Sequence, residues 1–204
     1  MMSIILSMRY PEEHKRETRV RILAEAAKQI RAHGPLGVGV AEIMKRAGLT
    51  HGGFYAHFES KDALVAAAIA KMFEGARARW ERTTGTRNAS DGLAAYLDWY
   101  LSAEHRDERE MGCPIAALSS DLPRLPKVCR TAYANGTRNL TESIAHKLRE
   151  VGHRDADALA ASVIAELVGA LSLARVEPDE ARSDAILGAS RRSLRARLGV
   201  GGRS

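Results

Sequence analysis

Between Val40 and Lys61 the chain gathers side chains that could do chemistry at short range. Thr50, His51, Tyr55, His57 and Lys61 bring hydroxyl, imidazole, phenol and ammonium groups together. Groups of these types hydrogen-bond phosphate oxygens and base edges. Gly52 and Gly53 lie among them. They have no side chain to read a base, but they allow close backbone approach, at about 1 kcal/mol each in helix propensity. With Glu59, the two histidines could form a metal or acid–base cluster. His51 and His57 stand six apart, however, and do not share a helix face as ligands at i and i+4 would. No metal is expected. A second reactive group is Cys113, between Gly112 and Pro114. Pro114 suits the first turn of a helix, which sets Cys113 at its N-terminus. There the dipole can lower a thiol pKa. Cys113 and Cys129 fit no common zinc spacing. Paired carboxylates, a nucleophile elbow and a phosphate loop are missing from the sequence, so neither an enzyme nor a cofactor is expected.

The elements that must hold these groups are helices. Residues 14–33 have Val20, Leu23, Ala24, Ala27 and Ile30 at helical spacing, with Lys15, Arg16, Arg19, Arg21, Lys28 and Arg31 around the rest. Gly34-Pro35 ends that helix. A short helix follows over 40–47, with Gly39 as its N-cap and Val40, Ile43, Met44 and Ala47 inward. Gly48 stops it in a left-handed conformation. Thr50 caps a third helix over 51–57, and Ser60 caps a fourth over 60–82 that carries Asp62 in its first turn. Further helices are expected over 90–105, 114–121, 126–151, 155–175 and 179–197. No run alternates as a strand would, and the fold class is all-α.

Helix, Gly-containing turn and helix within about twenty residues is helix-turn-helix spacing, with Ile43, Ala47, Leu49, Phe54 and Phe58 holding the pair together. The run Ala47-Gly48-Leu49-Thr50-His51-Gly52-Gly53-Phe54-Tyr55-Ala56-His57-Phe58-Glu59-Ser60-Lys61-Asp62-Ala63-Leu64-Val65 resembles the signature of the tetracycline-repressor (TetR) family. The resemblance is sharp over residues 14–65. It implies a dimeric, ligand-responsive DNA-binding regulator, most simply a repressor on a pseudo-palindromic double-stranded operator. It also implies an N-terminal three-helix DNA-binding domain over 1–61 and a larger helical ligand-binding and dimerisation domain over 62–204. His51 matches a base-reading position. Thr50, Tyr55, His57 and Lys61 match phosphate-contacting ones, and Gly52 and Gly53 match positions of close approach. Gly39 departs from the Ser or Thr common there and forfeits a side-chain phosphate contact. Gly39 and Val40 still belong to the DNA-facing set.

For the larger domain the resemblance implies a small-molecule effector and a homodimer. Trp80, Tyr96, Trp99, Tyr100, Met111, Cys113 and Tyr133 are the residues available to line a pocket. Leu159, Val163 and Leu167, with Ile186, Leu187 and Leu194, form apolar stripes on the last two helices that could meet a second chain. Some members of the family sense electrophiles or oxidants through a cysteine, so a thiol-based sensor using Cys113 is an alternative. A nonspecific DNA-binding protein is another.

The whole chain of 204 residues carries a net charge of +6, with 45% hydrophobic and 27% charged residues. Residues 1–61 hold +4, residues 62–187 hold −3 and residues 188–204 hold +5. The excess therefore marks the proposed DNA-binding head and an unassigned C-terminal cluster, not an overall basic coat. Two cysteines suit a reducing cytoplasm better than a disulfide scaffold. The run Ile4-Ile5-Leu6 is too short to span a membrane, and no membrane association is expected. Residues 1–9 read as a disordered extension, with Met8 as an alternative start.

Overall fold

Ser60, Asn88, Ser102 and Asp179 each cap the helix that follows, and Gly152 and Gly199 end helices in left-handed backbone. The computed structural model describes residues 2–201, with side chains from residue 12 onward. Helix α1 spans Met2–His33 and α2 spans Val40–Arg46. A 3₁₀ helix follows over His51–Ala56, then α3 over Lys61–Thr84. Next come α4 (Ala89–Tyr100), α5 (Ala103–Asp107) and α6 (Pro114–Leu118). The long helices α7 (Lys127–Val151), α8 (Ala156–Val176) and α9 (Glu180–Leu198) complete the chain. No strand occurs among the described residues.

Several caps match the sequence. Ser60 accepts a hydrogen bond from the Ala63 amide at 3.1 Å, and Gly48 has φ +74°. Pro114 sits at the start of α6 with Cys113 as N-cap. Three expectations fail. First, the backbone from Met2 is helical and runs through Pro11 into the rest of α1, where a disordered extension is expected. Second, the inward face of α1 is rotated: Ile22, Ala26, Ala27 and Ile30 are buried, Val20 is exposed, and Arg31 lies inside. Third, the helix expected over 90–105 breaks at Leu101–Ser102. The Ser102 hydroxyl donates to the Trp99 carbonyl at 2.8 Å and accepts from the His105 amide at 3.1 Å. A serine that competes in this way for backbone groups ends one helix and caps the next.

Helix α3 is the spine. It packs against α1, α7 and α4. Leu64, Ile69, Met72, Leu97, Ile144, Leu148 and Leu167 lie in one continuous apolar core. The approach of α7 to α3 is set by Gly136, since a Cβ there would lie 2.2 Å from the Phe73 ring. The stripe expected to face a second chain is spent inside this one. Val163, Leu167, Leu187 and Leu194 are at most 2% exposed, and Leu159 and Ile186 are partly buried. They are needed to close α8 and α9 onto α7 and α4.

The C-terminal basic cluster also finds an internal use. Arg195 pairs with Asp98 of α4, with Arg191 at 3.9 Å from the same carboxylate. Arg197 pairs with Glu166 of α8 at 2.9 Å. Each is a partly exposed ion pair, worth about 0.2–1 kcal/mol. Together they tie the last helix to its two neighbours.

Candidate nucleic-acid interface and adjoining cavity

The helix-turn-helix begins with α2, whose Ile43 and Met44 are buried. The turn carries Gly48 and returns the chain into the 3₁₀ helix, whose Phe54 plugs the core. Sequence spacing suggests an α-helix here; the short segment with two adjacent glycines takes the tighter 3₁₀ form instead, as short pieces often do. Phe54 stacks with Phe58 at 5.8 Å and meets the edge of Tyr55 at 5.1 Å. With the phenylalanines inside, Thr50, His51, Gly52 and Tyr55 are left on the outside, and Tyr55 is 73% exposed. Thr50 occupies the N-cap position, but its hydroxyl makes no capping bond and stays free. Gly39 caps α2 with extended backbone and no side-chain contact. Gly39 is exposed, while Val40, Gly53, His57 and Lys61 are half-buried beside the same surface.

Sequence reasoning missed how this segment is fastened. Arg19 of α1 donates to the His57 carbonyl, and its guanidinium lies 4.1 Å from the centroid of the Phe58 ring. One cation thus locks the end of the 3₁₀ helix onto α1 by a hydrogen bond and a cation–π contact. His57 is held below the ordinary histidine range by burial first, then by the charges of Lys15 and Arg19. The local sequence carries no signal for this, because Arg19 and His57 are 38 residues apart.

The body of the protein contains two cavities that bear on the expected ligand site. The first, about 450 Å³, lies between α3 and α7, with Trp80, Phe73, Asn135 and Asn139 on its walls. The second, about 270 Å³, is lined by Tyr96, Trp99, Met111 and Cys113, with Arg31, Arg79 and Arg82. The seven expected pocket residues therefore divide: Trp80 lines the first cavity and four line the second. Tyr100 and Tyr133 line neither. Tyr100 is 1% exposed and packs edge-on against His105. Tyr133 donates to the Ile115 carbonyl at 3.4 Å and meets the edge of Phe73.

The wall of the second cavity is built on a histidine that the sequence did not single out. His105 stacks on Trp99 at 4.4 Å. Its Nδ1 donates to the Tyr100 carbonyl at 2.7 Å, and its Nε2 accepts from the Cys113 amide at 3.0 Å. This pattern requires the neutral ring. Burial lowers its pKa to about 4, and the charges of Arg175 and Arg79 act in the same direction, against the bond to Tyr100. Arg175 of α8 clamps the same turn, donating to the His105 and Arg106 carbonyls at 3.1 Å. Cys113 is 5% exposed and Cys129 is also buried. Among the described residues no cluster of His, Cys, Asp or Glu could hold a metal.

Comparison with known proteins places this geometry. Residues 22–68 match the family of bacterial regulatory proteins of the tetR type. Residues 89–186 match the C-terminal domain of LmrA/YxaF-like transcriptional regulators. The chain belongs to the TetR family of transcriptional regulators. It is thus a DNA-binding regulator of transcription with an N-terminal helix-turn-helix and a helical C-terminal domain. The HTH-type transcriptional repressor NemR of Escherichia coli K12 is 26% identical over 134 residues, covering 65% of this chain and 67% of NemR. The crystal structure of E. coli NemR in its reduced form superposes with a TM-score of 0.78 at 23% identity, over 88% of this chain and 96% of that one. A TetR regulator from Chloroflexus aurantiacus gives 0.79 at 28% identity, over 92% and 96%.

Proposed function

We propose that the chain is a ligand-responsive repressor that binds a pseudo-palindromic operator as a homodimer and leaves it when a small molecule occupies the body. The observation that carries the DNA-binding half is the outward set Thr50, His51, Gly52 and Tyr55, fastened by Arg19 and flanked by Lys61. In this reading His51 meets a base edge. Thr50, Tyr55, His57 and Lys61 meet phosphates, and Gly39, Val40, Gly52 and Gly53 come close to the groove. Residues 1–61 are the head and 62–204 the body, with α3 leading from one into the other. The relative NemR is named a repressor, which supports the sign of regulation. The cytoplasm is where such a regulator would meet its operator.

Dimerisation is supported by α8. It is the one helix among the described residues long and apolar enough to cross a membrane, yet only 33% of its apolar stretch is buried within the chain. Ala161, Ala165, Leu173 and Val176 face outward. An exposed apolar face on a long helix marks an interaction surface. Its opposite face already packs in the core, so a second copy of α8 is the fitting cover, in place of the stripe expected from sequence. A single short recognition segment touches few base pairs, and two-fold symmetry restores specificity.

Selection of bound genomic fragments with purified protein tests this reading. A few fragments should be retained against excess competitor DNA. Retention of all sequences alike would favour a nonspecific DNA-binding protein. The position of Cys113 on the cavity wall favours a second reading, in which modification of its thiol releases DNA. Unchanged release by quinones or peroxide in Cys113→Ser would end that reading.

A further inference from the structure

The second cavity has an unusual balance of charge. Three of its lining residues are Arg31, Arg79 and Arg82, and none is acidic. Among the described residues, none of the three has a carboxylate within 4.0 Å. Arg31 is the most constrained, at 9% exposed. Its Nη1 donates to the Glu110 carbonyl at 3.2 Å and its Nη2 to the Met72 carbonyl at 3.3 Å. Its Nε is buried with no hydrogen-bond partner. Burial lowers its pKa to about 10, with the Cys113 thiol acting in the opposite direction. Buried charges are ordinarily paired, because desolvation costs several kcal/mol that only a partner offsets.

The remaining walls select shape. The Trp99 and Tyr96 rings form one side, with the Arg79 guanidinium 4.8 Å from the Trp99 ring centroid. The volume, about 270 Å³, lies just below the usual range for drug-sized ligands, which suits a molecule of one or two rings. A planar guanidinium offers forked donors that match a carboxylate, and a flat apolar body matches the aromatic wall.

The same arginine also joins the cavity to the DNA-facing segment. Arg31 and Arg19 lie on one helix, about 18 Å apart along its axis. Arg19 grips the His57 carbonyl, while Arg31 grips carbonyls of α3 and of the turn before Cys113. We propose that this cavity binds a small planar carboxylate and that its occupation acts on the DNA-facing segment by drawing Arg31 off its two carbonyls and shifting α1. The proposal rests on the ligand-responsive reading above and supplies the chemical class of the ligand.

Benzoate and its neutral counterpart benzamide are the probes. Calorimetry on the free protein needs no DNA, so it judges the site apart from the operator reading. Benzoate should bind about 10- to 100-fold tighter than benzamide, the worth of a charge-assisted hydrogen bond. Arg79→Gln should weaken benzoate about tenfold and leave benzamide unchanged. Arg82→Gln, at an exposed position, guards against misfolding as the cause of any loss and should show a smaller effect in the same direction. Equal binding of the two probes, or binding of neither at millimolar concentration, overturns the proposal. For the coupling, benzoate should lower retention of a selected fragment by the parent protein. It should do so less in Arg31→Lys, which keeps the charge and loses the fork. An equal response in Arg31→Lys, at unchanged thermal stability, overturns the route through α1. Failure to retain any fragment would refute the operator reading alone, with calorimetry still deciding the site.

Discussion

His105 should make the protein acid-sensitive in a way that one substitution removes. The ring is 2% exposed and uses both nitrogens in its neutral form, between the Tyr100 carbonyl and the Cys113 amide. Its pKa falls from 6.5 to about 4 on folding. A base whose pKa is depressed in the folded state is neutral in both states above pH 7, so it costs nothing there. As pH falls below 6.5 the unfolded chain takes up the proton and the folded chain does not, so stability drops with pH. At 1.36 kcal/mol per pKa unit, the loss is about 2 kcal/mol by pH 5 and about 3 kcal/mol by pH 4. His105→Gln keeps a donor and an acceptor but no titratable group. It should be less stable than the parent at pH 7, by about 1–3 kcal/mol for imperfectly satisfied buried partners. Urea denaturation of both proteins at pH 7, 6 and 5 gives the test. Contributions from His57 and the carboxylates are common to both and cancel in the difference. The gap between parent and variant should close by about 2 kcal/mol between pH 7 and pH 5. Parallel pH profiles would refute the neutral, doubly bonded histidine.

Other substitutions probe other parts of the molecule. Gly136→Ala should destabilise the chain by about 1–3 kcal/mol in thermal or urea denaturation, because its Cβ would meet the buried Phe73 ring at 2.2 Å. Lys61→Ala should weaken binding to all DNA sequences alike and reduce the salt slope by about 1, as measured by fluorescence anisotropy across salt concentrations. His51→Ala should instead relax sequence preference at one position, at a cost of about 1–3 kcal/mol on the preferred fragment. Leu173→Asp, on the outward face of α8, should leave monomer stability within about 0.5 kcal/mol and shift the sedimentation coefficient towards a monomer.

What was legible in the sequence was local. The helix-turn-helix spacing, the left-handed Gly48, the Ser60 cap and the Cys113-Pro114 helix start all depend on residues within a turn or two of each other. Short-range sterics and hydrogen bonding decide such features, so residue type and spacing suffice. The division of Phe54 and Phe58 to the inside and His51 and Tyr55 to the outside follows from the same periodicity. The break at Ser102 is local as well: the sequence holds a capping serine, but the apolar pattern across it suggests continuity.

Only the tertiary structure decided which apolar stripe faces inward and which charges are paired. Val163, Leu167, Leu187 and Leu194 look the same from sequence whether they close one chain or join two. Their partners on α4 and α7 are far away in the chain, and packing placed them inside. The basic C-terminus gained a use only when folding brought Asp98 and Glu166 beside it. Arg31 read as one more solvent-facing charge on a basic helix. The turn around α1 that buries Ile22 and Ile30 also carries Arg31 inside, against the carbonyls of residues 72 and 110. Burial and pairing depend on contacts between distant segments, and a single helix's periodicity fixes its own face only to within a rotation that its neighbours select.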